Sequence, residues 1–70
     1  METKNKTMGQ KIKLFRKAKK FTQAELADYV GLDRNALSRM ELNKQIIKAD
    51  VLFDIAGTLG INIYDFGKWN

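Results

Sequence analysis

The chain has 70 residues, enough for one domain near the lower size limit for folding without a disulfide or a metal. It contains no cysteine and no histidine, which excludes disulfides, thiolate metal sites and the commonest general base. The net charge is +5, and residues 1–20 hold eight Lys or Arg beside one acid, Glu2. We therefore expect no enzyme, no metal and no cofactor. So basic a surface suits nucleic acid or an anionic membrane, with plain solubilisation as the alternative.

The chain also lacks the apolar segments that targeting and membrane insertion require. No window approaches the roughly 20 apolar residues of a membrane span, and the polar N-terminus leads into no signal-like stretch. We expect a cytoplasmic protein without membrane contact. Residues 1–6 are predicted to form a flexible N-terminal arm, and residues 7–70 a single domain.

The first predicted helix begins at Thr7, which can cap it. Met8, Ile12 and Phe15 recur at spacings of four and three, as on one face of a helix. Lysines occupy the other positions, so we expect a solvated, cationic face. That face comprises Lys11, Lys13, Lys17, Lys19 and Lys20.

Two short helices follow in close succession. Thr22 and Glu25 have the spacing of a capping box, and Gly31 suits a left-handed end, which together predict a helix over about 23–30. Asp33 is a suitable N-cap for a third helix from Arg34 to about 41 or 42. Two helices joined by such a tight, glycine-containing turn form a helix-turn-helix unit.

The remaining chain predicts two more helices. Asn43 is a suitable left-handed residue after the third helix, and apolar positions at helical spacing predict a fourth over about 48–59, ended by Gly60. Asn62 can cap a final short helix, although alternation over 61–66 also allows a strand. The expected fold is thus all-α with five helices. Its predicted core comprises Ile12, Phe15, Leu26, Ala27, Val30, Leu37, Met40, Leu52, Ile55, Leu59 and Phe66.

The third helix carries the most informative side chains. At about 100° per residue, its apolar positions fall in one sector and only hydrogen-bonding side chains without an acid fall in the opposite one. The outward residues are Arg34, Asn35, Ser38 and Arg39. Arg can pair with guanine and Asn with adenine in the major groove, and Ser can bind base or phosphate. Solvated polar residues are the alternative, which the place of this helix in the helix-turn-helix unit disfavours.

Several motifs together resemble the lambda-repressor/Cro-type helix-turn-helix family, also called the Xre family. The resemblance covers about residues 8–66 and rests on Gly9-Gln-Lys-Ile-Lys-Leu-Phe-Arg-Lys, Thr22-Gln-Ala-Glu-Leu-Ala, Leu37-Ser-Arg-Met-Glu41 and Leu52-Phe-Asp-Ile-Ala-Gly-Thr-Leu-Gly60. It implies a compact five-helix lambda-repressor-like domain. It also implies that the four outward residues read bases or nearby phosphates.

The resemblance assigns further roles. It implies that Gln23 contacts a phosphate and braces the third helix, and that Asn43 and Lys44 contact the DNA backbone. Apart from the resemblance, phosphate contacts are also expected from Thr22 and from Lys48, which extends the cationic surface, with solvation as the alternative for each lysine. Arg16 and Glu41 match a structural salt bridge of several family members, with DNA contact as the alternative for Arg16. The chain departs from the family where Ile47 replaces a frequent proline. Ile46 and Ile47 could meet a partner, but we expect burial under the loop.

Two functions remain open at this point. The first is a transcriptional regulator, expected to be a repressor, that binds a pseudo-palindromic operator in double-stranded DNA as a homodimer. Tyr64 and Trp69 are its candidate interface residues. The second is an antitoxin or another protein-interaction module, which sequesters a partner such as a toxin or an anti-repressor and also binds DNA.

Overall fold

Four α-helices and no strand make up the part of the chain that the structure, a computed structural model, describes, residues 7–64. The helices are α1 Met8–Ala18, α2 Gln23–Val30, α3 Arg34–Glu41 and α4 Ala49–Leu59. The predicted all-α class is confirmed for these residues. The predicted count of five helices is not confirmed. Within the described residues only Ile63 and Tyr64 are helical after α4, and the Asn62 side chain accepts a hydrogen bond from Tyr64 N at 3.0 Å. Phe66 and Trp69 lie outside the described residues.

Two of the four helix starts have reciprocal side-chain caps. Thr7 Oγ1 accepts from Gln10 N at 3.2 Å, and Thr22 Oγ1 accepts from Glu25 N at 3.1 Å. In both, the side chain three residues on accepts from the threonine N–H at 2.9 Å. Because these bonds satisfy backbone donors that a helix start leaves over, they fix where α1 and α2 begin.

The starts of α3 and α4 are built differently. Asp33 occupies the N-cap position of α3, but its side chain makes no capping hydrogen bond. The fourth helix begins at Ala49, one residue later than predicted, with Lys48 as its N-cap. Because lysine has no acceptor atom, it cannot cap the first turn. Asp50 supplies an acceptor instead, since its Oδ1 bonds Val51 N at 2.9 Å.

All four helices end in the same backbone motif. A left-handed residue closes each helix, and its N–H bonds the carbonyl three residues back while the next N–H bonds the carbonyl five residues back. The left-handed residues are Lys20, Gly31, Asn43 and Gly60, with φ between 62° and 74°. Three of them are residue types that signal this conformation. Lysine is not such a residue type, so the left-handed conformation of Lys20 could not be predicted from the sequence.

The core lies between the four helices, with α3 packed against α1 and α2, and α4 against α2 and α1. Its fully buried cluster comprises Ile12, Leu26, Ala27, Leu37, Ile55, Ala56 and Leu59. Met40 is also buried, as predicted, whereas Phe15, Val30 and Leu52 are only partly buried against this cluster. The helix-turn-helix unit of α2 and α3 is thus held from behind by α1 and α4.

The first helix approaches α3 more closely than its sequence indicated. A Cβ on Gly9 would collide with the carbonyl oxygen of Met40 and would lie 2.8 Å from Asn43 Oδ1. Lys11, predicted to be solvated, is buried with 2% exposure, and that prediction was wrong. The apolar four-carbon stem accounts for part of this burial, but at 2% exposure the ammonium group is buried with it. The other four lysines of the predicted cationic face are exposed.

Candidate nucleic-acid interface

The third helix divides its side chains between the core and the surface. Ala36, Leu37 and Met40 are buried, which fastens the helix to the domain. The outward residues are Arg34, Asn35 and Arg39, which are exposed, and Ser38, which is half-buried. The structure therefore brings the four predicted base-reading residues onto one face of α3. All four side chains can donate hydrogen bonds, and Asn35 and Ser38 can also accept them. This suits base pairs, whose major-groove edges carry both donors and acceptors.

A buried ion pair connects α1 to the end of α3. Arg16 Nε lies 2.7 Å from Glu41 Oε2, and Arg16 Nη2 donates to Glu41 Oε1 at 3.1 Å. The two side chains are 7% and 2% exposed. Arg16 Nη1 donates to the carbonyl oxygen of Phe21 at 2.8 Å, which ties the same guanidinium to the turn before α2. This burial places Arg16 in a structural role rather than at the surface.

Gln23 joins this pair from α2. Its Nε2 donates to Glu41 Oε1 at 2.9 Å, and the side chain is half-buried. One carboxylate therefore receives hydrogen bonds from α1 and α2 while belonging to α3. Because one Nε2 hydrogen of Gln23 is bonded to Glu41, the donors still available for the predicted phosphate contact are the second Nε2 hydrogen and the backbone N–H. The first backbone N–H of α2 to make a hydrogen bond within the helix is that of Leu26, to Thr22 O. The N–H of Gln23 comes earlier, in the first turn, where backbone donors have no partner within the helix.

An open cleft of about 420 Å³ lies where the start of α2 meets the start of α3. The residues that line it are Arg16, Phe21, Thr22, Gln23, Ala24 and Arg34. It places two predicted phosphate-binding residues, Thr22 and Gln23, beside the first predicted base-reading residue, Arg34. The Thr22 hydroxyl oxygen is already used as an acceptor in the cap of α2. Its hydroxyl hydrogen is still a donor that an anion in the cleft could accept.

The loop after α3 returns to the outward face of the helix. Asn43 is left-handed, its N–H bonds Met40 O at 3.1 Å, and Lys44 N bonds Arg39 O at 2.8 Å. Directly after them, Gln45 Oε1 accepts a hydrogen bond from Arg39 Nε at 2.7 Å. The sequence prediction assigned no role to Gln45. The left-handed residue at position 43 was the available signal, because it predicts this reversal of the chain.

The other predicted contact residues lie at the surface, with one departure from expectation. Asn43, Lys44 and Lys48 are exposed. Ile46 is 84% exposed, so the expected burial was wrong for it, whereas Ile47 packs against the core. Adjacent residues of a non-helical segment project in different directions, and only one of the two can therefore reach the core.

The order and packing of these helices agree with a known family. A family model described as helix-turn-helix matches residues 12–66, which is most of the chain. The chain belongs to the helix-turn-helix family of the lambda-repressor or Xre type. The resemblance inferred from the sequence motifs is thereby confirmed.

Known members of the family resemble the chain in sequence and in structure. An immunity repressor protein of Bacillus phage phi105 is 39% identical over 57 residues, which are 81% of this chain and 40% of that protein. A crystal structure of SinR, a master regulator of biofilm formation, in complex with DNA has a TM-score of 0.80 at 30% identity. The match covers 86% of this chain and 97% of that one. The N-terminal DNA-binding domain of SinR from Bacillus subtilis gives a TM-score of 0.77, also at 30% identity, over 84% and 87% of the two chains.

Residues 7–64 offer neither a metal site nor a membrane span. No three or more acidic residues come together there in a way that could hold a metal ion. None of the four helices is long and apolar enough to cross a bilayer. The candidate interface is therefore the outward face of α3 with the adjoining cleft.

Proposed function

We propose that this protein is a transcriptional regulator, specifically a repressor, that binds double-stranded DNA sequence-specifically through α3 in the major groove. The observation that carries the proposal is the outward face of α3. Arg34, Asn35 and Arg39 are exposed there beside Ser38, with no acid among them. The DNA complex of SinR, whose fold matches over 97% of its length, supports the same use of this domain.

Phosphate contacts are proposed on both sides of the recognition helix. Thr22 and Gln23 lie in the cleft at the start of α2, and Asn43, Lys44 and Lys48 follow the end of α3. Contacts from these residues position the protein on the duplex, and the lysines add affinity that falls steeply with salt. Because phosphates are the same at every base pair, these contacts carry no sequence preference.

A homodimer on a pseudo-palindromic operator is the proposed assembly. One such domain covers a small area of DNA, and two copies one helical turn apart extend it. We place the contact between copies after α4, in the predicted fifth helix, where Tyr64 is 75% exposed and Trp69 is the other candidate. The N-terminal arm over 1–6 and the single domain over 7–70 belong to the same proposal.

The repressor role rests on the phage relative, of which the chain spans 40% of the length. A regulator of this kind acts in the cytoplasm by binding and needs no catalytic group, cofactor or membrane. The antitoxin alternative, with a toxin or an anti-repressor as partner, stays a prediction from the sequence. Within residues 7–64 no feature singles out such a partner.

The test is selection of binding sites from randomised duplex DNA at about physiological salt, with wild type and an Arg34→Ala/Asn35→Ala/Arg39→Ala variant. We expect the wild type to select a pseudo-palindrome and the variant to retain only weak, salt-sensitive binding. Lys13→Ala, at an exposed position on α1, is the control and should select the same sites as wild type. Equal recovery of all sequences by the wild type would falsify the proposal, and a single half-site would overturn the dimer.

A further inference from the structure

The hydrogen bond between Arg39 and Gln45 restricts how Arg39 can meet a base. Arg39 Nε donates to Gln45 Oε1 at 2.7 Å. Because Nε carries a single hydrogen, this bond occupies it. A guanidinium can present two parallel donors either through Nε with one Nη or through both Nη atoms. With Nε engaged, only the pair of Nη1 and Nη2 is left for a bidentate contact.

The backbone after α3 brings Gln45 close to Arg39. Lys44 N bonds the carbonyl oxygen of Arg39 itself at 2.8 Å, and left-handed Asn43 makes that reversal possible. Gln45, the next residue, therefore begins beside the residue whose side chain it binds. Its own side chain is half-buried, which limits the conformations open to it. The amide oxygen must be the atom that faces Nε, since the amide nitrogen cannot accept.

We propose that Gln45 is a specificity-determining positioning residue, which holds the guanidinium of Arg39 so that Nη1 and Nη2 together read one base pair. The inference rests on the proposed function, since it needs α3 in the major groove. An arginine held before binding loses less side-chain entropy on DNA than a free one. An arginine held in this way also cannot use Nε with one Nη as a donor pair, so it can form hydrogen bonds with fewer of the wrong bases. Gln45 thereby sharpens a preference that Arg39 provides.

The experiment measures dissociation constants for the selected site and for versions with each base pair changed in turn. Wild type, Gln45→Ala, Arg39→Ala and the double variant form a cycle. We expect Gln45→Ala to lower discrimination about two- to tenfold, the range of one net hydrogen bond. The loss should be confined to the base pair that Arg39→Ala also affects. In the Arg39→Ala background, Gln45→Ala should change nothing further.

Two further variants separate positioning from a general effect of the loop. Gln45→Glu keeps an oxygen acceptor at the same reach. It should restore discrimination, although its charge weakens binding to every sequence alike. Lys44→Ala, the adjacent exposed side chain, should lower affinity for all sites equally and leave discrimination unchanged.

The outcomes distinguish the two proposals. If wild type has no sequence preference, α3 reads no bases and both are overturned. If wild type has a preference that Gln45→Ala leaves intact, the role of Gln45 alone is overturned. An equal loss at several base pairs, or the same loss in the Arg39→Ala background, would also overturn it, because the effect would then not pass through Arg39.

Discussion

Two arginines of this domain donate a hydrogen bond through Nε at the same distance but in opposite surroundings. Arg16 Nε donates to Glu41 and Arg39 Nε donates to Gln45, both at 2.7 Å. The first pair is buried between α1 and α3, and the second lies at the surface on the outward face of α3. An equal Nε–oxygen distance therefore does not mean an equal contribution, because Arg16 also bonds through both Nη atoms and its main partner is a charged carboxylate.

The surroundings decide what each bond contributes. Removing one member of a buried pair leaves the other desolvated without its partner, which is strongly destabilising. At the surface, water replaces a lost partner, so an exposed pair contributes little to folding. It can still fix a side chain in one conformation. We therefore expect Arg16 and Glu41 to govern stability, and Arg39 and Gln45 to govern DNA preference.

Glu41→Ala should be the most damaging substitution, because it disrupts the buried ion pair. The change leaves the guanidinium of Arg16 and the amide of Gln23 without the carboxylate that both bind. We expect the free energy of unfolding to fall by about 3–5 kcal/mol, measured by denaturant titration. Asp28→Ala, at an exposed position on α2, is the control and should stay within about 0.5 kcal/mol. A fall of less than about 1 kcal/mol for Glu41→Ala would contradict the buried role.

A second change tests the close packing of α1 on the end of α3, which brings the buried pair together. Gly9→Ala introduces a Cβ that collides with the Met40 carbonyl oxygen, and we expect a loss of about 1–3 kcal/mol or more. Gly57→Ala is the matched control, because a Cβ there meets nothing within 4 Å inside α4. It should stabilise by about 0.5–1 kcal/mol. The same sign for both variants in thermal unfolding would refute the close contact.

Arg39→Ala removes the exposed arginine and should affect DNA binding rather than stability. The free energy of unfolding should stay within about 0.5 kcal/mol of wild type, while binding to the selected site should weaken by about 1–3 kcal/mol. Titration of labelled duplex and denaturant unfolding on the same preparation give both values. A stability loss as large as that of Glu41→Ala would show that the two arginines do not differ as argued.

The smallest expected effect concerns the turn that supplies the Phe21 carbonyl to Arg16. Lys20 has a φ of 67°, a conformation that strains residues with a Cβ. Lys20→Gly should therefore stabilise the domain by about 0.5–1 kcal/mol, visible as a higher Tm. Lys19→Gly, one residue earlier and not left-handed, is the control and should not stabilise. A lower Tm for Lys20→Gly would argue against the strain.

The features that the sequence predicted depend on residues near one another in the chain. Threonine caps, Gly31, Gly60 and Asn43 mark helix ends locally, and the two sectors of α3 follow from its own periodicity. The pairing of Arg16 with Glu41 came from family resemblance, since its members lie 25 residues apart. The structure places them in contact.

What the sequence did not reveal depends on contacts between distant elements. Gly9 is constrained only because α1 lies against the end of α3. Lys11 is buried although its residue type predicted a solvated position. Gln45 is an ordinary loop residue until the chain reversal brings it to Arg39. Sequence periodicity identifies the inward side of a helix but not which neighbour lies there, or how near.

The division of α3 between a buried and an exposed side has a consequence for how such a protein can diverge. The eight residues of α3 fall into two groups, one packed against the core and one facing outward, which contact different surroundings. Arg34, Asn35 and Arg39 can therefore be exchanged without rebuilding the core. Under the proposed function, duplicated copies of the gene would then bind different DNA sites after a few surface substitutions, while every copy keeps the same fold.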